Sequence, residues 1–340
     1  MIKEYIESIA EGNNLTLEES YKVMRNIMSG EVNDSQISGL LMAMKTKGET
    51  PEEVAGFAKA MRDMGIKIKS SDPDTIDVCG TGGDGSNTFN ISTAVSFVVA
   101  GAGVKVAKHG NRSISSKSGS ADVLTELGVN INLSPLESEV ALNEVGIAFL
   151  FAPNYHPAMK YAAPVRKSLG IKTIFNILGP LTNPAGTKKQ LIGVYNSKTA
   201  KLMAEAAFHL DMERVCFIST ADRYDEISLT GDTNVYDYSR QTGIKNYKIS
   251  STMLDYPLID ITKIKSDSSL NNSLIILSVL RDKIKNEAYY VIAANAAMAL
   301  LVAGISDNIM DCRLAAEESI LSGRAYHKLN KLKSFGEICS

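Results

Sequence analysis

Residues 75–102, TIDVCGTGGDGSNTFNISTAVSFVVAGA, decide the fold class. Ile76-Asp77-Val78-Cys79 reads as a short strand, Gly80 to Gly85 as a glycine-rich turn, and Ile91 to Ala102 as an apolar helix. A strand passing through glycines into a helix begins a crossover unit, and repeated crossovers build parallel sheets. The pattern recurs downstream. Val104 to Ala107 reads as a strand, a polar loop follows, and Ala121 to Leu127 reads as a helix. Ser134, Pro135 and Glu137 open another helix with a hydroxyl cap, a proline at its first position and a capping-box acid. Later strands are expected over Ile192–Tyr195, Val215–Ser219 and Ile227–Leu229, and residues 234–251 alternate as an antiparallel pair would. The expectation is an α/β domain over residues 73–340 with a central, largely parallel but mixed sheet.

Upstream, residues 1–72 read as a small all-helical lobe, and helices from about 160–185 are expected to join it. Thr16 with Glu19, and Thr50-Pro51-Glu52-Glu53, are helix-start signals. Ile37, Leu40, Leu41 and Met44 recur at helical spacing. That apolar face can serve as core or as a contact with a second copy, and the sequence leaves both open. A linker is expected around Lys69 to Pro73.

The glycine loop is suited to phosphate. Four of the six residues from Gly80 to Gly85 are glycine, which lets backbone N–H groups approach an anion closely. Ser86, Thr88, Asn90, Ser92 and Thr93 add donors at the entrance of a helix, itself an anion site. Gly80, Gly82 and Gly85 match the dinucleotide pattern GxGxxG, but the helix starts too late, near Asn90, and the next strand ends in Lys108 rather than an acid. A Walker loop fails because Ser86, not Lys, follows Gly85.

The second loop, Lys108 to Ser120, carries Lys108, Arg112 and Lys117 among five serines, and Asp84 is the only acid between Gly80 and Ser120. Charge-assisted hydrogen bonds are roughly twice as strong as neutral ones. Alone, such a loop is as well explained as a solvated surface. Beside a first phosphate loop, it points to a highly charged phosphate ester.

The strings DVCGTGGDG (77–85), NIST (90–93), KHGNRSISSKSGSADVLTELG (108–128), FLFAPNYHPAMKYAAPVRKSLGIKTIFNILGPLTNPA (149–185) and NAAMALLVAG (295–304) closely resemble the anthranilate phosphoribosyltransferases, over essentially the whole chain. The resemblance implies transfer of the 5-phosphoribosyl group from phosphoribosyl pyrophosphate (PRPP) to the amine of anthranilate, in tryptophan biosynthesis. It implies magnesium, as two ions, on Ser92, Asp225 and Glu226. Arg166 is implied to meet the anthranilate carboxylate, Asn111 to lie beside that substrate, and Gly80 to border both ligands. With the loop residues, the expected substrate-binding set is Gly80, Gly83, Asp84, Thr88, Asn90, Ile91, Ser92, Thr93, Lys108, His109, Gly110, Asn111, Arg112, Ser113, Ile114, Ser115, Ser116, Ser120 and Arg166. No general base is named, and His109 is open to that role or to orienting its loop. The resemblance also implies a homodimer formed through the helical lobe.

Bulk properties narrow the partners. A net charge of −2 over 340 residues gives no reason to expect nucleic acid or an anionic membrane. Cys79, Cys216, Cys312 and Cys339 form no CxxC pair, which suits a reducing cytoplasm. MIKEYIESIA carries acids where a secretory signal needs a basic end, so no signal peptide is expected. The longest apolar run, Ala288 to Gly304, falls short of the ~20 residues that span a bilayer and reads as a buried helix. The rival enzyme is a pyrimidine nucleoside phosphorylase of the same architecture, which lacks the Asp-Glu metal pair. A non-catalytic phosphosugar or nucleic-acid binder is a second rival, disfavoured by Asp225-Glu226, Arg166 and the balanced charge.

Overall fold

The computed structural model describes residues 2–113 and 118–339. Four helices come first: α1 (Ile2–Ala10), α2 (Leu17–Met28), α3 (Asp34–Lys47) and α4 (Pro51–Met64). Reciprocal capping boxes start three of them, Thr16 with Glu19, Asn33 with Gln36 and Thr50 with Glu53, so side chains satisfy amides that no helix carbonyl can reach. Ile37, Leu40, Leu41 and Met44 are buried within the chain itself. The stripe is core, and it is not available as a free face for a second copy.

A seven-stranded sheet follows, in the order β3-β2-β1-β4-β5-β6-β7. Its strands are β1 (Ile76–Gly80), β2 (Val106–Gly110), β3 (Ile147–Phe151), β4 (Lys189–Gly193), β5 (Arg214–Thr220), β6 (Thr233–Ser239) and β7 (Gly243–Ile249). The first five pair in parallel, and β6 and β7 are antiparallel, as the alternation over 234–251 predicts. Helices α5 (Ile91–Gly101), α6 (Ser120–Glu126) and α7 (Pro135–Glu144) fill the early crossovers. Next come the one-turn α8 (Ala152–Tyr155), then α9 (Ala163–Leu169), α10 (Phe175–Leu178) and α11 (Ser197–Ala207). The chain closes with α12 (Ser269–Leu280), α13 (Glu287–Ala303), α14 (Ile309–Leu321) and α15 (Arg324–Ile338). The long apolar run is the buried α13, and no described helix is long and apolar enough to cross a membrane.

Side chains alternate between the sheet faces and feed two cores. Cys216 and Ile218 join a cluster with α5 and α13. Val215 and Phe217 join a second, which runs through α11 into the helical lobe and takes in Val165, Ile174 and Leu178.

Several sequence readings shift. Lys108 and His109 are not loop but the buried middle of β2, paired with Phe149 and Leu150 of β3. Strand β4 is three residues earlier at its start than Ile192. The helices expected from about residue 160 are preceded by a 3-10 turn over Pro157–Tyr161 and begin with α9. Ile227–Leu229 is not a strand. Both the Ile227 amide and its carbonyl are taken by the Asn295 side chain at 3.0 Å, and Leu229 sits at φ +58°, a left-handed conformation that strands do not use.

The chain runs outward from β1 to β2 and β3, then returns to lay β4 on the other side of β1. Where strand order reverses in this way, a crevice forms at the carboxyl ends of the strands.

Candidate active site

The crevice is floored by two glycines. Gly80 ends β1, Gly193 ends β4, and the two are paired in register. The Asp225 backbone presses on Gly193, where a Cβ would overlap the Asp225 carbonyl oxygen, and a Cβ on Gly80 would stand 2.9 Å from Asp225 Oδ2. Only glycine admits this approach at Gly193. The Thr81 amide donates to the Gly193 carbonyl at 2.8 Å, and the Gly82 amide donates to Asp225 Oδ2 at 3.1 Å. Gly82, Gly83 and Gly85 all have positive φ, which keeps the turn open at little steric cost. The amides of Gly83, Asp84 and Gly85 have no acceptor among the described residues.

Asp84, Asp225 and Glu226 converge, with one carboxylate oxygen from each lying within 4.8 Å of the others. Asp84 Oδ1 accepts from the Ser86 amide and hydroxyl, both at 2.9 Å. Asp84 Oδ2 and Glu226 Oε2 are buried with no hydrogen-bond donor, and no described lysine or arginine pairs with any of the three acids. Burial, then the neighbouring acids, raises the Asp225 and Glu226 carboxyls well above the usual range. Three converging hard oxygen donors with idle lone pairs suit a magnesium-type cation. The sequence pointed to Asp225 and Glu226. It placed Asp84 with the substrate, whereas Asp84 also belongs to this acidic cluster.

The scaffold behind the acids is specific. The Thr220 hydroxyl donates to the Glu226 carbonyl at 2.6 Å. Asn295 breaks the apolar α13 and clasps the next residue, Ile227, by both backbone groups. Gly193, Thr220 and Asn295 escaped the sequence reading. Asn295 alone left a signal there, as a polar residue in an apolar helix.

The two expected phosphate loops touch. Asn90 Nδ2 donates to the Ser118 carbonyl at 3.3 Å, and Lys108 Nζ donates to Ser92 Oγ at 3.1 Å and to the Val78 carbonyl at 2.8 Å. Burial lowers the pKa of Lys108. Thr88 bridges to Lys265, while Ile91 and Thr93 are buried at the start of α5. Gly110 ends β2 against Ser120 and Phe149, leaving no room for a side chain. The Asn111 carbonyl accepts from the Ser120 hydroxyl at 3.3 Å. Arg112 is not a free cation: it pairs with Asp122 at 2.7 Å, just past the acid-poor stretch, and the Ser113 amide reaches the same carboxylate at 3.3 Å. Ile114, Ser115 and Ser116 lie outside the described residues.

His109 is buried beside His156, with ring centroids 5.4 Å apart. Burial first, then His156, lowers its pKa to about 3, so it is neutral near pH 7 and a weak base. Arg166 lies over the Phe175 ring at 5.2 Å, and no described carboxylate or hydrogen-bond acceptor meets it. Burial lowers its pKa too. Such a cation is prepared for an anionic ligand.

Comparison with known proteins agrees with this architecture. Residues 3–65 match the family described as glycosyl transferase family, helical bundle domain, and residues 72–326 its a/b domain. The chain is 43% identical to the anthranilate phosphoribosyltransferase of Salinibacter ruber over 97% of this chain and 96% of that one. Its fold matches the crystal structure of anthranilate phosphoribosyltransferase from Thermus thermophilus with a TM-score of 0.92, at 35% identity, covering 98% and 99% of the two chains. It matches the Saccharomyces cerevisiae enzyme in complex with PRPP and Mg at 0.90, with 27% identity and coverage of 99% and 98%.

Proposed function

The chain belongs to the anthranilate phosphoribosyltransferases, and from that membership we propose how its own residues divide the work. The enzyme transfers the 5-phosphoribosyl group of PRPP to the amine of anthranilate, releasing pyrophosphate. The observation that carries the residue assignment is the meeting of Asp84, Asp225 and Glu226 over the paired glycines at the strand-order reversal.

In the reaction a C–N bond forms at the anomeric carbon as the C–O bond to pyrophosphate breaks. Positive charge develops on the ribose and negative charge on the departing group, so the protein's task is positioning and electrostatic complementarity. The free amides of the glycine loop, with Lys108, Asn90, Thr88 and Ser120, receive the phosphates. Asp225 and Glu226, with Asp84 beside them and Ser92 from α5, would hold two magnesium ions. Bound there, magnesium supplies the positive charge that a leaving pyrophosphate requires. Arg166 takes the anthranilate carboxylate through its planar fork, with Asn111 alongside. His109 shapes the pocket as a neutral ring. The aromatic amine is already unprotonated near neutral pH, so attack needs no prior base.

The functional division falls near residue 72, with the helices of about 160–185 counted in the helical lobe, in whose core Val165, Ile174 and Leu178 are buried. A cytoplasmic homodimer fits the resemblance and four unpaired cysteines. Its contact would use a surface other than the buried Leu40–Met44 stripe.

The test is pyrophosphate release with both substrates and magnesium. Release that depends on anthranilate is expected, and phosphorolysis of thymidine or uridine is expected to be absent. No release from folded protein, or brisk phosphorolysis, would overturn the reading.

A further inference from the structure

One cation beside the glycine loop is left without a task. Lys172 lies between α9 and α10, on the segment proposed to belong with the helical lobe. Its Nζ sits 3.9 Å from the centroid of the Tyr195 ring, two residues past the end of β4. Its Cε and Nζ stand 3.3 and 3.7 Å from the point where a Cβ on Gly83 would be. An ammonium has three donors, yet no described acceptor or carboxylate takes any of them. Other lysines removed from solvent are engaged: part-buried Lys47 with Glu53 at 3.0 Å and Lys189 with Asp74 at 2.7 Å, and buried Lys108 with Ser92.

Below Lys172, the amides of Gly83, Asp84 and Gly85 are equally unengaged, whereas those of Thr81, Gly82 and Ser86 are spent inside the protein. A cation held by an aromatic face over idle amides is half of an anion site, since ring attraction aims the charge without neutralising it. We propose that Lys172 is a substrate-binding residue, its ammonium meeting the pyrophosphate moiety of the phosphoribosyl donor across Gly83. Contact from this segment then ties occupancy of the glycine loop to the position of the helical lobe. The anthranilate carboxylate is the other anion available, but Gly83 adjoins Asp84 of the acidic cluster, where the pyrophosphate is placed. This inference rests on the site reading above.

Titrating inorganic pyrophosphate with magnesium into wild type, Lys172→Gln and Lys172→Arg by calorimetry tests it, with steady-state kinetics for both substrates. In Lys172→Gln, pyrophosphate affinity should fall and the KM for PRPP should rise, each by about tenfold to a hundredfold, the scale of one charged hydrogen bond. The KM for anthranilate should stay within about twofold, and Lys172→Arg should recover much of the loss. Wild-type pyrophosphate affinity in Lys172→Gln, or a rise confined to the anthranilate KM, overturns the proposal. Should Lys172→Gln not fold, Tyr195→Leu removes the ring that aims the ammonium: weakened pyrophosphate binding supports the assignment, and unchanged binding overturns it. If wild type itself binds no pyrophosphate, the site reading fails instead, and the two failures are distinct.

Discussion

The acidic and basic halves of the site are built in contrasting ways. Asp84, Asp225 and Glu226 are rooted in the α/β core, with Asp225 pressed onto Gly193, Thr220 on the Glu226 carbonyl and Asn295 clasping Ile227. Arg166 and Lys172 instead sit in and just after α9, each held over an aromatic ring rather than by an acid. Neither half finds its counter-charge within the described protein. Three acids in a poorly hydrated place oppose one another's ionisation, so they stay together only on a scaffold that leaves the backbone no alternative. A cation over a ring can shift at low energy. Damage to the acids should therefore appear in turnover, damage to the scaffold beneath them in stability as well, and damage to the basic half in substrate affinity.

The largest effect is expected from Glu226→Ala. Turnover should fall about 10²- to 10³-fold, as for removal of one preorganised electrostatic group. Melting in metal-free buffer should not drop, because burial and the neighbouring acids hold this carboxyl above its ordinary range, which opposes folding near neutral pH. Near-normal turnover would detach Glu226 from the chemistry. Asn295→Ala should come next, losing about 1–3 kcal/mol in denaturant unfolding because the Ile227 amide and carbonyl are stranded, with reduced turnover as the adjacent Glu226 drifts. Unchanged stability and turnover would mean the acidic half does not need its clasp. Arg166→Ala should raise the KM for anthranilate about tenfold or more with turnover much less affected, since the carboxylate is remote from the bond being made. Lost turnover at an unchanged anthranilate KM would erase the contrast between the halves.

The smallest effect concerns the junction at His109. Its folded pKa, about 3, lies below its ordinary 6.5, so the unfolded chain takes the proton first. Stability should be full above about pH 6.5 and fall as pH drops toward 3, by on the order of 1 kcal/mol one unit below 6.5. His109→Asn should flatten that acid limb, and an identical pH profile would contradict the buried neutral ring.

What the sequence made legible was local. The glycine loop, the capping boxes at Thr16 and Thr50, the alternation of β6 and β7 and the buried α13 all follow from neighbours in the chain. Less legible were encounters between distant residues. Asp84 meets Asp225 only because the loop after β5 lies across Gly193 at the end of β4 and so reaches Gly80 of β1, and nothing near Gly193 announces the carbonyl it must admit. Ile227–Leu229 has a strand's composition, but Asn295, far along the chain, takes its hydrogen bonds. The unforecast β3, IAFLF, was readable as a continuous apolar run of the kind parallel strands show. Lys108 and His109 look like loop in the sequence because their polarity masks a buried strand whose end faces the site.

Calorimetric titration of PRPP into the folded wild-type protein, with and without magnesium, bears most directly on the acidic cluster and its two glycines. Saturable uptake that strengthens when magnesium is added, and loses that enhancement in Glu226→Ala, is the result expected. Uptake indifferent to magnesium in both proteins, or none at all, would contradict it.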